Sequence, residues 1–239
     1  MVLTVIKNWD NKTWLSSQDY ISKFNKFLLR NVKLNSNSRI LDIGCGRGRI
    51  IGSLSSKLKL NSKPIGIDLI NHRDKDKRFQ FKKIDAFTFF SLNKKKFDLI
   101  LIKQTIHLLQ FSQIKYLLIK MSKSLNPYGK ILILTLDPYN NEIPCFDLMK
   151  IRLSQSLKKD KKILILISRL YPKRILKKFF YKVKIKKKTY INMISKRFIS
   201  ILLYLNDKQI DAGIKEIDSK FNKNFKFLDK LVCIIIRNN

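Results

Sequence analysis

Asp42, Gly44, Gly46 and Gly48 stand at alternate positions in the stretch Ile40-Leu41-Asp42-Ile43-Gly44-Cys45-Gly46-Arg47-Gly48, and with Gly52 they place four of the chain's seven glycines within nine residues. Glycine so concentrated marks backbone that must turn tightly and come close to a ligand. A dinucleotide-binding turn needs two residues between its second and third glycines, so that a pyrophosphate can sit on a helix N-terminus. Here a single residue separates them, and a carboxylate stands within the motif. That carboxylate repels a pyrophosphate and attracts a ligand end carrying an ammonium or a sulfonium. Asp68 and Asp85 each end another short strand-like stretch, and Lys103 and His107 follow an apolar run.

These residues need elements to hold them. Ile40 to Ile43 reads as a short buried strand, with a helical pattern resuming at Ile50. Residues 63–69 read as a second strand whose acid lies about 20 residues past the turn, where doubly wound folds place ribose recognition. Residues 79–86 read as a third strand and 96–102 as a fourth, apolar enough to be buried on both faces. Asn126-Pro127-Tyr128-Gly129-Lys130 predicts a turn before a fifth strand at 131–136. Ahead of them, Trp14, Tyr20, Ile21, Phe24, Phe27 and Leu28 recur at helical spacing within 9–30, with Ser16 or Ser17 as N-cap. Beyond the fifth strand the pattern predicts a helix from near Pro144 to Leu157, another over 160–170 and a strand at 179–186. Helices over 189–205 and 207–221 follow, the second capped by Asp207. Residues 224–227 and 231–236 complete a final strand or bulged edge. The pattern is α/β, a doubly wound parallel sheet.

The D-x-G-x-G-x-G run, followed by acid-ended strands in this order, resembles the first half of the class I S-adenosylmethionine-dependent methyltransferases, in their small-molecule branch (type 11/25-like domain). The resemblance covers residues 38–137 well and 138–205 weakly. It implies a Rossmann-like seven-stranded sheet with an antiparallel last strand, and S-adenosyl-L-methionine as cofactor. Asp42, Gly44, Gly46, Gly48, Asp68, Leu69, Asp85, Ala86 and Lys103 would then line the cofactor, Asp68 on the ribose hydroxyls and Asp85 with Ala86 at the adenine. It further implies one domain over 1–239: a helical lid at 1–35, a cofactor core at 36–137, and a C-terminal part with a capping insert near 188–222. Trp9, Trp14 and Tyr20 would be lid residues, with Trp14 and Tyr20 touching the acceptor. His107, at the end of the fourth strand, is the candidate base or acceptor contact. By likeness to the cap of trans-aconitate methyltransferases, Tyr190 and Arg197 would orient an acceptor carboxylate, arginine by its bidentate fork. The adenine-methylating signature, Asn/Asp-Pro-Pro-aromatic, is absent after the fourth strand. Asp137-Pro138-Tyr139 has a similar look but follows the fifth.

The formal net charge of +34 leaves two partner classes open besides a small-molecule acceptor, a nucleic acid and an anionic membrane surface. Lysine far outnumbers arginine, and asparagine and isoleucine are abundant, a usage that A+T-rich coding produces, so charge alone assigns no partner. The expectation is methyl transfer to a small acid or hydroxyl compound, with RNA methylation on the basic surface as the alternative. Three scattered cysteines and two histidines offer no metal-ligand spacing. No run reaches the roughly 18 apolar residues of a membrane span, and a reducing cytoplasm is the expected location.

Overall fold

The computed structural model describes residues 13–221 and 224–237. Its centre is β1 (Ile40–Ile43), buried along its whole length, which pairs in parallel with β2 (Ile65–Asp68) and β4 (Phe97–Lys103). With β3 (Gln80–Lys83), β5 (Leu125–Leu136), β6 (Ile175–Ile185) and β7 (Phe225–Arg237) it forms a seven-stranded sheet of order β3-β2-β1-β4-β5-β7-β6. β7 runs antiparallel to both β5 and β6. The reversal of strand order between β1 and β4 makes the switch point, and ligands of open α/β sheets bind at the carboxyl ends of strands there.

Side chains alternate across a sheet, so each face carries its own core. One face bears Ile40, Leu99, Leu101, Leu132, Leu134, Leu231 and Cys233. It is covered by α1 (Gln18–Asn31), α2 (Arg49–Leu58), α6 (Lys187–Ser195) and α7 (Asp207–Lys220). The other bears Leu41, Ile43, Ile100, Ile102, Ile131, Ile133, Val232 and Ile234. It is covered by α3 (Ala86–Leu92), α4 (Phe111–Lys123) and the second half of α5 (Asp147–Leu170). By the same alternation Asp42, Lys103 and Asp229 fall on the α1 face at the carboxyl edge.

Several local expectations are corrected. The Asn126–Gly129 segment lies inside β5 as an irregularity: the β4–β5 register shifts between Phe97 and Leu99, and Tyr128 takes φ 63°. The two helices expected over 144–157 and 160–170 are one, starting at Asp147, because no glycine or proline interrupts residues 147–170. The helix expected over 189–205 is α6 followed by a separate 3-10 turn at Ser200–Tyr204, broken where Arg197 adopts φ 51°. Asn206, not Asp207, caps α7: its side chain accepts from the Gln209 amide while Gln209 reaches back to the Asn206 amide. The last strand is continuous through Asp229 and Lys230. At the other end, Ser17 caps α1 by accepting from the Tyr20 amide, and Trp14–Ser16 is a 3-10 turn before it. Trp9 lies outside the described residues. Among those described, no helix is long and apolar enough to cross a membrane.

Candidate active site

The chain leaves β1 through three left-handed glycines, Gly44 (φ 72°), Gly46 (φ 54°) and Gly48 (φ 66°). The Gly44 and Cys45 amides both donate to the Ile67 carbonyl, which welds the turn to β2. Space is as restrictive as backbone angle: a Cβ on Gly44 would lie 2.2 Å from Thr105 Oγ1, and one on Gly48 would lie 2.2 Å from the Phe79 ring. Cys45 fills the gap beside Gly66. Burial pushes its thiol far above the usual range, so it is an inert small side chain. Arg47 is buried and its Nε donates to the Arg73 carbonyl.

Asp42 is buried in β1. Burial pushes its carboxyl up to about 7, against the pull of the Lys103 ammonium and with a smaller push from Asp68. Such a group is poised to ionise when a cation approaches. Asp68, at the end of β2, accepts from the Gly46 amide at 2.9 Å through one oxygen and from the Ile70 amide at 2.9 Å through the other. Each oxygen retains a lone pair for a hydroxyl. Leu69 beside it is exposed. Asp85 is the N-cap of α3, accepting from the Phe87 and Thr88 amides and the Thr88 hydroxyl. Those bonds, the Thr88 hydroxyl foremost, hold its carboxyl below the usual range. Ala86 opens the same helix.

α1 packs across this face with its first turns beside the carboxyl edge, and its Tyr20 and Phe24 are fully buried. The Lys103 ammonium sits 5.2 Å from the Tyr20 ring centre and 5.6 Å from that of Phe24, a cation–π seat. The Tyr20 hydroxyl has no hydrogen-bond partner among the described residues. Burial, with Asp229 and Tyr181 near, pushes it well above its ordinary pKa. Asp229 is buried in β7 and accepts from Trp14 Nε1 at 3.0 Å. Burial raises its pKa against the pull of Trp14 and Lys103. Sequence reasoning missed Asp229 and Thr105. The Asp229-Lys230 pair stands between the two runs read as a final strand or bulged edge, and an acid inside an otherwise apolar strand was the available signal.

His107 follows β4 in a 3-10 turn. Burial, with Lys159 near, pulls its pKa down to about 4, so it is a neutral imidazole and a weak base at physiological pH. The two expected cap residues have partners of their own. Tyr190 is fully buried, its hydroxyl donates to the Pro144 carbonyl, and its ring packs 4.7 Å from Phe225. Arg197 donates to the Leu205 carbonyl and pairs with Asp207. Both residues of the expected carboxylate clamp are thus engaged with the surroundings of α6 and α7.

The profile of a family described as a methyltransferase domain matches residues 34–190. Among curated proteins, 235L of Invertebrate iridescent virus 6, which is named as a methyltransferase, is 29% identical over 102 residues. That match spans 41% of this chain and only 38% of the relative. Among solved structures, a methyltransferase from an antibiotic biosynthesis pathway of Anabaena variabilis aligns with TM-score 0.64 at 13% identity, covering 89% of this chain and 96% of that one. The N-methyltransferase NodS of Bradyrhizobium japonicum, solved with S-adenosyl-L-homocysteine, gives 0.52 at 14%, covering 96% and 93%. The plantazolicin methyltransferase BpumL, solved with a monoazolic desmethylPZN analogue and S-adenosyl-L-homocysteine, gives 0.54 at 18%, covering 97% and 88%. At such identities the structural likeness establishes the fold and leaves the acceptor open.

Proposed function

The chain belongs to the methyltransferase-domain family, and on that premise we propose that it transfers a methyl group from S-adenosyl-L-methionine to a small acid or hydroxyl acceptor seated at the carboxyl edge beside the first turns of α1. The observation that carries the reading is the juxtaposition of buried Asp42, the left-handed glycine turn and Asp68 at one switch point. The residues fit the cofactor: Asp42 suits a cationic amino-acid end, the turn admits close backbone approach, and Asp68 suits a ribose. Leu69 stands on the loop after β2, and Asp85 and Ala86 at the start of α3 after β3, the side on which an adenine would lie.

When bound, the sulfonium supplies both the electrophilic methyl and the leaving group. The protein's part is alignment and exclusion of water. The first turns of α1, held by Asn25 Nδ2 on the Ile50 carbonyl of α2, and the 3-10 turn before them, held by Trp14 on Asp229, wall that edge. Lys103 supplies a cation there, which supports an acidic acceptor, and the Tyr20 hydroxyl supplies a donor for an oxygen. A carboxylate acceptor needs no base, in keeping with the weak basicity of His107.

Titration with S-adenosyl-L-homocysteine beside a nicotinamide dinucleotide, followed by a labelled-methyl screen of small acids, hydroxyl compounds and RNA, tests the proposal. Binding of the first ligand and transfer to a small acid are expected. Uptake of the dinucleotide alone overturns the cofactor assignment, and transfer to RNA alone overturns the acceptor class.

A further inference from the structure

β6 and β7 outrun the rest of the sheet. β5 ends at the pair Leu136↔Leu231, but the β6–β7 ladder continues from Phe180↔Lys230 to Ile185↔Phe225, so a two-stranded ribbon projects past the carboxyl edge. Its two faces differ. The inner face carries Tyr181, Val183, Phe225 and Phe227, buried against the lid and α6, with Trp14 at 5.2 Å from Phe227. The outer face carries Phe180, Lys182, Lys184 and Lys226, all exposed, with Phe180 52% accessible, beside the half-buried Leu228 and the Glu142-paired Lys230.

A phenylalanine half in water on a flat strand surface needs a reason when the alternate positions are lysines. Lys182, Lys184 and Lys226 have no ion-pair or hydrogen-bond partner among the described residues, unlike Lys178, which pairs with Asp137, and Lys230, which pairs with Glu142. A second exposed ring stands nearby. Tyr139 donates its amide to Asp137, the acid that holds Lys178, and the Lys161 ammonium lies 5.1 Å from the Tyr139 ring. The acids of this region are thus already neutralised. What remains is uncompensated positive charge beside Phe180.

We infer that this ribbon face is a docking platform for single-stranded nucleic acid, with Phe180 stacking on a base and Lys182, Lys184 and Lys226 following the phosphates. Stacking uses one ring per base and tolerates any sequence, and the lysines supply a charge term that weakens with salt. An anionic membrane fits less well: separated rings among lysines offer little continuous apolar surface to insert. The inference is independent of the methyl acceptor, because it concerns binding on the face opposite the lid.

The test is fluorescence anisotropy with a labelled 12-nucleotide single-stranded RNA over a salt series. The whole protein carries a large positive charge and will bind RNA to some degree, so the comparison is between variants. Phe180→Ala is expected to weaken binding roughly tenfold, the order of one lost base–ring stack, and Phe180→Tyr to restore it. Lys182→Ala with Lys184→Ala should lower the salt slope by about 1.4, two single-strand phosphate contacts. The control pair, Lys94→Ala with Lys95→Ala at the opposite edge, should change it less. S-adenosyl-L-homocysteine affinity, measured on each variant, should stay constant, which separates this outcome from failure of the proposed function. Equal effects of the two lysine pairs, or no loss with Phe180→Ala, overturns the platform. Preference for phosphatidylserine vesicles over RNA, lost in the Phe180 variant, also overturns it.

Discussion

The Gly46 amide donates to the Asp68 carboxylate across 2.9 Å, tying the tip of the glycine turn to the end of the adjacent strand. With the Gly44 and Cys45 amides on the Ile67 carbonyl, this bond makes the turn and β2 one rigid unit. The side chain proposed to read the ribose therefore also holds the backbone that admits the cofactor.

Asp68→Ala removes both roles. Its affinity for S-adenosyl-L-homocysteine is expected to fall at least roughly tenfold, in line with the ~1.5–3 kcal/mol of a hydrogen bond to a charged group. Asp68→Asn, which keeps an acceptor for the Gly46 amide, should lose less. Titration calorimetry of the two variants reads the difference.

Cofactor affinity should depend on pH through Asp42, whose carboxyl sits at about 7 in the free protein. A cation binds the ionised form, so affinity is expected to rise as pH climbs from 5 to 8, by up to about tenfold per unit below 7. Asp42→Asn should bind weakly with a flat profile over that range. A profile unchanged by the substitution would remove Asp42 from the cation's seat.

Gly44→Ala combines a left-handed φ of 72° with a Cβ 2.2 Å from the Thr105 hydroxyl. The backbone alone costs ~1–2 kcal/mol, and the clash adds to it. Thermal unfolding should show a marked drop in Tm, and Thr105→Ala in the same chain should recover part of it but not the backbone share.

Asp160 is buried in α5 with its Oδ1 lacking a hydrogen-bond partner, and burial pushes its carboxyl from 3.8 up to about 7. Its folded-state pKa is raised. Its contribution to stability is therefore fully present below about pH 4 and is lost as pH rises through about 7. Asp160→Asn is expected to raise Tm at pH 8 by the equivalent of roughly 1 kcal/mol or more, and to leave Tm nearly unchanged at pH 4. A gain that does not grow with pH would rule out charge burial as its cause.

Tyr190→Phe and Arg197→Ala separate structure from acceptor recognition. Losing the Tyr190 bond to the Pro144 carbonyl should cost ~0.5–1.5 kcal/mol of stability. Losing Arg197, whose partner Asp207 is exposed, should cost about 1 kcal/mol or less. Neither change is expected to raise the acceptor KM in a methyl-transfer assay, and a rise of tenfold with Arg197→Ala would assign that residue to the clamp.

The juxtaposition of Asp42, the glycine turn and Asp68 in the candidate site was legible in the chain because its geometry is local. Asp42 and the three turn glycines lie within seven residues of one another, and an acid closing the next strand is placed by strand length and pairing alone. Tight-turn backbone accepts few residue types, so type and spacing there stand almost directly for geometry. The acceptor half was not legible. Tyr190 and Arg197 have the right chemistry, but their partners, the Pro144 carbonyl and Asp207, were settled by how the helices pack. Asp229 reached the site because β7 crosses the sheet antiparallel beside β5, bringing it within 3.0 Å of a tryptophan 215 residues away in sequence. Strand alternation then put Asp42, Lys103 and Asp229 on one face and the ribbon lysines on the other. Spacing along the chain specifies short-range geometry, whereas contacts between distant residues depend on which strands become neighbours, and only the folded sheet decided that.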